Sequence, residues 1–539
     1  MNLSQIEEKD FQRAKECHIC NEKFQASKAK SKFRDHDHVL GMYRGPAHVE
    51  CNLQYKINLQ IPIVFHNLFR YDIHHFVNEI CNNIPGRVLI IGKTDEKYLG
   101  FIKRIKGVLV KLTFKDSFNF LSFSLEKLAA TLSSENFIHL KQSFKGIETD
   151  TLKLLMQNGV MFYDYITDVD VLNEKQLPKK EDFFNSLNKK HITNEVYNHA
   201  KKVWNTFNVQ NIREYIYLYM KCDVLILVDI FENFRKICIQ NFTLDPICYI
   251  SLPSYCWDTC LYFTKVELEL LTDLNQILFL ESGLRGGRSQ VSLRYGCANN
   301  KFIPNYNKDL EDSYIIYFDV NNLYGGMLTL FLPTSNFQWL SHNEILHFDV
   351  EKNYQDPNIG YILEVDLHFD SKIHNKLKDL PPAYEKKPPP NTKIPKLLAT
   401  LEDKKNYVVH IRNLKFYIEL GIKLTKIHRV LRYNHSCWMK KYIYKCITLR
   451  QQSTNEFDIA TWKLFVNACF GKSIENVRKY RDFRIATKWS GRSGLGKLVQ
   501  NPNFHNIKVF NENLAVVEMK KSKIVFNKPI YVGFLCLGI

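Results

Sequence analysis

The chain has 539 residues, 45% of them hydrophobic, with 74 Lys and Arg against 56 Asp and Glu, a net charge of +18 and a pI near 9.1. That length asks for several domains, that composition packs a core, and that charge favours a polyanion such as DNA, with 37 Phe and 28 Tyr on hand for base stacking. The polar start "MNLSQIEEKDFQRAKE" reads as no signal peptide and no window is apolar enough to span a bilayer, so the 14 cysteines are expected to be thiols or metal ligands of an intracellular protein.

The first sixty residues are rich in Cys, His and Asp. Cys17-x-x-Cys20 and His48-x-x-Cys51 are two paired-ligand hooks that together satisfy a tetrahedral structural Zn²⁺. Between them runs "FRDHDHVLGMYRGPAHVECN". This stretch resembles the HNH fold of recombination endonuclease VII. The resemblance implies a second metal held by Asp35 and Asn52, with His36 as the base and His38 in the same cluster. A competing reading keeps the zinc and the fold but leaves a module that only grips DNA.

From Ile61 short apolar runs, "IPIVFHN" and "GRVLIIG", predict buried strands. "FHNLFRYDIHHF" places Asn67 and Asp72 around Tyr71. "LYMKCDVLIL" places Tyr219 one helical turn before Asp223, inside a long apolar-periodic helix over 211–242. In this order the two patterns resemble the second and third exonuclease motifs of family B DNA polymerases. "SLEKL" between them resembles the single-strand-binding motif of the protein-primed branch, which implies that Ser124 and Leu125 touch a 3′ end. Carried over, Asp72 and Asp223 hold metal and Tyr219 orients water. The first motif of that family, Asp-x-Glu, does not occur upstream of Asn67. The fold is expected there, and proofreading is in doubt.

Glycine-rich "ESGLRGGRSQVSLRYG" at 281–296 reads as a loop, and Gly286 and Gly287 look like the DNA-contacting connector of the same branch. The apolar run "YIIYF" then predicts a buried strand that ends on Asp319. Asp319-Val-Asn-Asn322-Leu323-Tyr324-Gly325 resembles the family's first polymerase motif, in the form common to Polinton/Maverick transposons and related viral and linear-plasmid replicons. The resemblance implies Mg²⁺ on Asp319 and Tyr324 beneath the nucleotide sugar. "DLPPAYEKKPPPNTKIP" reads as an exposed connector. "ATWKLFVNACFGKSIENVRKYR" reads as a helix in which Lys463, Asn467 and Gly471 fall at i, i+4 and i+8 on one face. It fits the second polymerase motif, with Phe470 in place of the commoner tyrosine. Lys463 and Arg450 are then triphosphate ligands, and Asn467 and Gly471 line the nascent base pair.

The resemblance as a whole implies an α+β multidomain chain. Residues 1–60 would be the zinc module, 61–245 a ribonuclease H-like exonuclease domain and 246–300 a connector between lobes. Residues 301–345 would begin the palm, 346–445 would be an inserted subdomain of the protein-primed type, 446–485 the fingers and 486–539 the start of the second palm part. The third polymerase motif, Asp-Thr-Asp, is not found after Gly471, and "TDVDV" at 167–171 stands in the wrong order. Because "KPIYVGFLCLGI" stops within an apolar run, the chain is expected to be incomplete. The expected partners are primer-template and single-stranded DNA, dNTPs and a terminal priming protein. The rival reading is an HNH nuclease or a DNA-binding relic without polymerase activity.

Overall fold

The computed structural model describes residues 4–538 except 21, 26, 28–29, 37–42, 55–59, 69–71, 93–97, 109, 188, 290, 292–293 and 492–493. His38 and Tyr71 lie outside the described residues. Two compact units divide the chain: Met1–Ile63 with Glu79–Val88 and Ile102–Thr113, and Val64–Asn78 with Leu89–Phe101 and Phe114–Ile539.

In the first unit, helix α1 (Gln5–Arg13) starts in a capping box, Ser4 and Glu7 satisfying each other's backbone N–H groups. Strands β1 (Lys32–His36) and β2 (Tyr43–His48) pair antiparallel with Asp35 opposite Gly45, and α2 (Val49–Gln54) follows directly. The loop at Cys17–Cys20 is tied to the hairpin by the His18 amide, which donates to the Pro46 carbonyl at 2.9 Å. Local backbone bonding therefore places both hooks together without a large core.

The strands expected around 61–92 are present as β3 (Gln60–Phe65) and β4 (Gly86–Gly92). With β5 (Tyr98–Ile105) and β6 (Lys111–Asp116) they form a sheet of order β3-β6-β5-β4. Helix α3 (Ile73–Asn83) carries Phe76, which packs with Phe65, Phe101 and Phe114; the last two stack at 4.0 Å. After α4 (Leu125–Thr131) comes the expected long helix, α5 (Ile212–Phe242). Asn211 caps its start through the Glu214 amide, and left-handed Thr243 ends it. Ile226, Ile230, Phe234 and Cys238 recur every four residues and are all buried.

That buried face belongs to a core running from Phe120 to Cys536. It joins α5 to α6 (Leu252–Thr264), α7 (Leu274–Gly283), α8 (Leu323–Leu328), α9 (Lys440–Gln452), α10 (Glu456–Ser473) and α12 (Ile530–Gly538). Phe242 at the end of α5 stacks on Phe465 of α10, with centroids 5.8 Å apart. Divisions at 245 and 300 therefore separate sequence motifs but not cores.

A second sheet has the antiparallel order β11-β8-β12-β7, with β7 (Leu332–Trp339), β8 (Ile359–His368), β11 (Lys404–His410) and β12 (Lys423–Ser436). The division at 345/346 passes through this sheet, since β7 pairs with β12. Within the Pro/Lys-rich stretch, β9 (Glu385–Lys387) pairs with β10 (Lys396–Leu398) just beyond it. A three-stranded sheet, β13 (Asp482–Ala486), β15 (Leu514–Met519) and β14 (Phe504–Asn511), is covered by α11 (Leu495–Val499).

Two expectations fail. The run Tyr314–Phe318 is not a buried strand: all five residues are more than half exposed, Tyr317 at 90%. Apolar, β-prone residues form a strand only where a neighbouring strand accepts their backbone groups, and no described residues pair with this run. The helix expected to reach 481 stops at Ser473, and the Asn476 side chain caps a separate 3₁₀ turn at Val477–Lys479.

Packing also fixes one glycine. A Cβ on Gly360 would lie 2.4 Å from the buried Tyr433 ring, whose hydroxyl meets His410 at 3.0 Å. Gly360→Ala should cost about 2 kcal/mol in urea unfolding, whereas Gly326→Ala, in open space on α8, should cost nothing measurable.

Candidate functional site

The polymerase-type residues converge. Asn322 adopts the left-handed conformation (φ 55°) immediately before α8, and a Cβ on Gly325 would strike its side chain at 2.2 Å. This turn presents Tyr324, whose ring stacks on Phe470 of α10 with centroids 4.6 Å apart and planes 18° from parallel. Such a stack contributes about 1 kcal/mol beyond area burial. Helix α10 buries Phe457, Trp462, Phe465, Val466 and Cys469 and exposes Lys463, Asn467 and Gly471 in a line. A Cβ on Gly471 would meet nothing within 4 Å, so this face is open. Arg450 is exposed on the last turn of α9, which packs against α10.

Asp319 lies three residues before Asn322 and is exposed. Among the described residues the only group of three or more His, Cys, Asp or Glu with mutually close ligand atoms is Cys17, Cys20, His48 and Cys51. Among the described residues Asp319 therefore belongs to no cluster of three or more such groups that would hold a two-Mg²⁺ site. In the connector, Gly286 and Gly287 are exposed, and a Cβ on either would meet nothing within 4 Å. Arg285 beside them is fixed by its bond to the Val408 carbonyl (2.8 Å) and by the Tyr407 ring.

The exonuclease-type residues sit on rigid supports. Asn67 has φ 70°, and its amide donates to buried Asp116 at 2.8 Å. Asp72 is half-buried just before α3. On α5 the Tyr219 hydroxyl lies 3.3 Å from that of Tyr163, and one Asp223 oxygen is buried with no hydrogen-bond partner. Burial pushes the Asp223 carboxyl up to about 6, against the Tyr219 hydrogen bond that lowers it. Burial first, and then Asp223, keep the Tyr219 phenol protonated. An orphaned buried carboxylate oxygen suits a cation, but the ligand set that the absent Asp-x-Glu would complete does not form among the described residues.

Ser124 is a helix cap: its hydroxyl accepts the Lys127 amide, and Leu125 opens α4. The serine adjoining Asn67 is Ser117. Its single hydroxyl lies 2.9 Å from His66 Nδ1 and donates to the Phe65 carbonyl at 2.9 Å, so it accepts at His66. Its setting, Ser117-Phe118-Asn119-Phe120-Leu121, repeats the Ser-apolar-x-x-apolar pattern seven residues before "SLEKL", and that repetition is the signal that sequence reading passed over.

The zinc set is assembled. Its ligand atoms lie within 4.8 Å of one another. His48 Nδ1 is 3.3 Å from Cys20 Sγ and 3.6 Å from Cys51 Sγ, while Nε2 faces the Lys23 carbonyl at 3.2 Å, which fixes Nδ1 as the ligating nitrogen. Burial opposes the Cys17 thiolate, but the Cys20, His48 and Ile19 amides outweigh it and bring its pKa down to about 7. Burial and the neighbouring sulfurs push Cys51 up to about 12. Such a set fits Zn²⁺, which would neutralise the sulfurs and hold the loop to the hairpin.

The HNH residues fare differently. Asp35 is fully buried, and both its oxygens are engaged, one with His18 Nε2 (2.9 Å) and one with Arg44 (2.6 Å). A metal at Asp35 would have to displace one of them. His36 is half-buried at the end of β1, and Asn52 is half-buried on α2.

The family model for DNA polymerase type B, organellar and viral, matches residues 54–483, and that for recombination endonuclease VII matches residues 3–67. No curated protein matches. Among solved structures, phi29 DNA polymerase with primer-template DNA and incoming nucleotide is 14% identical over 93% of this chain and 70% of its own, with a TM-score of 0.47. The same enzyme's post-translocation binary complex gives 14%, 88%, 65% and 0.45. Its complex with single-stranded DNA gives 15%, 93%, 70% and 0.45.

Two outcomes test these sites. Purified protein should contain one Zn²⁺ per chain by elemental analysis, and Cys51→Ser should lose it along with the protease resistance of residues 1–60. Because the folded Asp223 pKa is raised, its carboxyl binds a proton more tightly in the fold, and stability should fall as pH rises from about 4 through 6. Asp223→Asn should therefore raise the unfolding midpoint at pH 8 and change it little at pH 4.

Proposed function

This chain belongs to the organellar and viral type B DNA polymerases, and from that premise we propose that it carries the nucleotide-binding half of template-directed DNA synthesis on α10 and α8. The observation that carries the proposal is the exposed line Lys463–Asn467–Gly471, edged by Phe470 stacked on Tyr324. Lys463 and Arg450 would bind the dNTP triphosphate, Arg450 through its planar fork. Gly471 leaves room for the base pair, and Asn467 reads its edge. Tyr324, held flat by Phe470, would lie under the sugar and exclude a 2′-hydroxyl.

Asp319 is the carboxylate this motif offers a divalent cation. A two-metal transfer from dNTP to a primer 3′-hydroxyl needs further carboxylate ligands, and among the described residues Asp319 belongs to no such cluster. Binding without rapid transfer is therefore the property proposed for these 539 residues. A 3′ end would enter beside Asn67, His66 and Ser117, near the Tyr219–Asp223 pair. A protein-primed start, with a terminal protein as partner, follows the branch this chain resembles. No described helix is long and apolar enough to cross a membrane, and we place the chain's work inside the cell, with its template and dNTPs.

A second reading concerns the first unit. Engagement of Asp35 by Arg44 and His18 favours a zinc-stapled DNA grip over a cutting HNH centre. In a nicking assay with Mg²⁺ or Mn²⁺, His36→Ala and wild type should be equally inactive; cleavage abolished by His36→Ala would reverse this.

The main proposal is tested with a primer-template and a single correct dNTP. A stable ternary complex should form, Lys463→Ala should weaken dNTP binding at least tenfold, and Tyr324→Ala should bring the ribonucleotide close to the deoxynucleotide in affinity. Extension should be slow, each 1.4 kcal/mol of lost transition-state stabilisation being about tenfold in rate. Fast extension would show that another carboxylate serves beside Asp319.

A further inference from the structure

Residues 478–528 hold twelve Lys and Arg against three Asp and Glu, so half of the chain's excess charge lies in this one segment. Part of it is neutralised locally: Arg481 pairs with Glu518, Arg484 with Asp482, Arg478 with Glu281 and Lys528 with Glu475. Lys488, Lys497, Lys520 and Lys523 remain exposed.

The same segment carries Trp489, which is 68% exposed. The other five tryptophans, Trp204, Trp257, Trp339, Trp438 and Trp462, are buried or half-buried. The exposure of Trp489 does not come from a loose tail. The Leu495 amide donates to the Lys488 carbonyl (3.0 Å) and the Gly496 amide to the Trp489 carbonyl (3.1 Å), which closes the bend around Gly491, itself at φ +101°. The indole rests against Gly496, where a Cβ would come within 3.2 Å of Nε1. The same two bonds join the backbone of Lys488–Trp489 to that of Leu495–Gly496, so that exposed Lys488 precedes Trp489 and exposed Lys497 follows Gly496.

An indole 68% exposed on a bonded turn, in a segment with exposed lysines next to it in the chain, has the chemistry of a base-stacking platform. We propose that Trp489, with Lys488 and Lys497, is a binding site for single-stranded DNA, distinct from the Lys463–Asn467–Gly471 face. The indole would stack on an unpaired base, and the lysines would contact the flanking phosphates. A duplex offers no free base face except at its ends, so single strands are the favoured ligand. The proposal takes from the family reading only that DNA is the partner.

The test uses the full chain and fluorescently labelled short oligo(dT), with binding read by anisotropy. Trp489→Ala should weaken binding about tenfold, the scale of one lost base–aromatic stack, while Trp489→Phe should stay near wild type. Lys488→Ala with Lys497→Ala should lower the slope of log affinity against log salt by about 0.7 for each lysine. Oligo(dT) should quench the Trp489 contribution to emission, taken as wild type minus Trp489→Phe, and heparin should not. Lys463→Ala should bind oligo(dT) like wild type, so a failed nucleotide site and a failed platform are told apart. Unchanged binding in Trp489→Ala, equal losses in Trp489→Ala and Trp489→Phe, or equal quenching by heparin would each overturn the proposal.

Discussion

The proposed nucleotide face depends on how α10 is held. One side of this helix is driven into the shared core by Phe457, Trp462, Phe465 and Cys469. Burying each of the three aromatics is worth roughly 2–3 kcal/mol. With that side committed, a period of 3.6 residues leaves Lys463, Asn467 and Gly471 no choice but solvent. Phe470, at the border of the two faces, is half-buried and meets Tyr324. The catalytic-type face is thus a by-product of hydrophobic packing between α5, α6, α9 and α10, and not of contacts among the polar residues themselves.

How much of this was legible depended on whether the deciding contacts were local. The α10 triplet was readable because helical spacing alone puts its members on one face. The same holds for Tyr219 and Asp223, one turn apart on α5. The zinc hooks were readable because ligand type and spacing carry the chemistry. Tertiary neighbours decided the rest. Ser117 and Ser124 stand in similar patterns, and only the fold shows that His66 meets the first while the second caps a helix. Asp35 stands in the pattern of a metal ligand, and only the fold shows that Arg44 of the hairpin and His18 of the preceding loop meet its two oxygens. The three-stranded sheet at 482–519 was not anticipated, since its register comes from cross-strand pairing that periodicity does not encode.

The exposed run at Tyr314–Phe318 shows the same division from the other side. Its residues have every local preference for a strand, yet they lie uncovered in front of Asp319. Local propensity supplies the tendency, but no described strand pairs with the run. Asp319 is consequently left without the fixed backbone that a strand end would give a metal ligand. The proposed nucleotide face and the carboxylate thus differ: the first stands on a helix packed into the core, and the second lies in an exposed run.

On the reading proposed above, the open face of α10 binds the incoming nucleotide. Titration of a dNTP against the primer-template complex of wild type and Gly471→Leu tests it most directly. A Cβ there would meet nothing within 4 Å and the position is exposed, so the variant should unfold at nearly the same temperature and still bind primer-template. Its dNTP affinity should fall by at least tenfold. Equal dNTP affinity in a folded Gly471→Leu variant would contradict it.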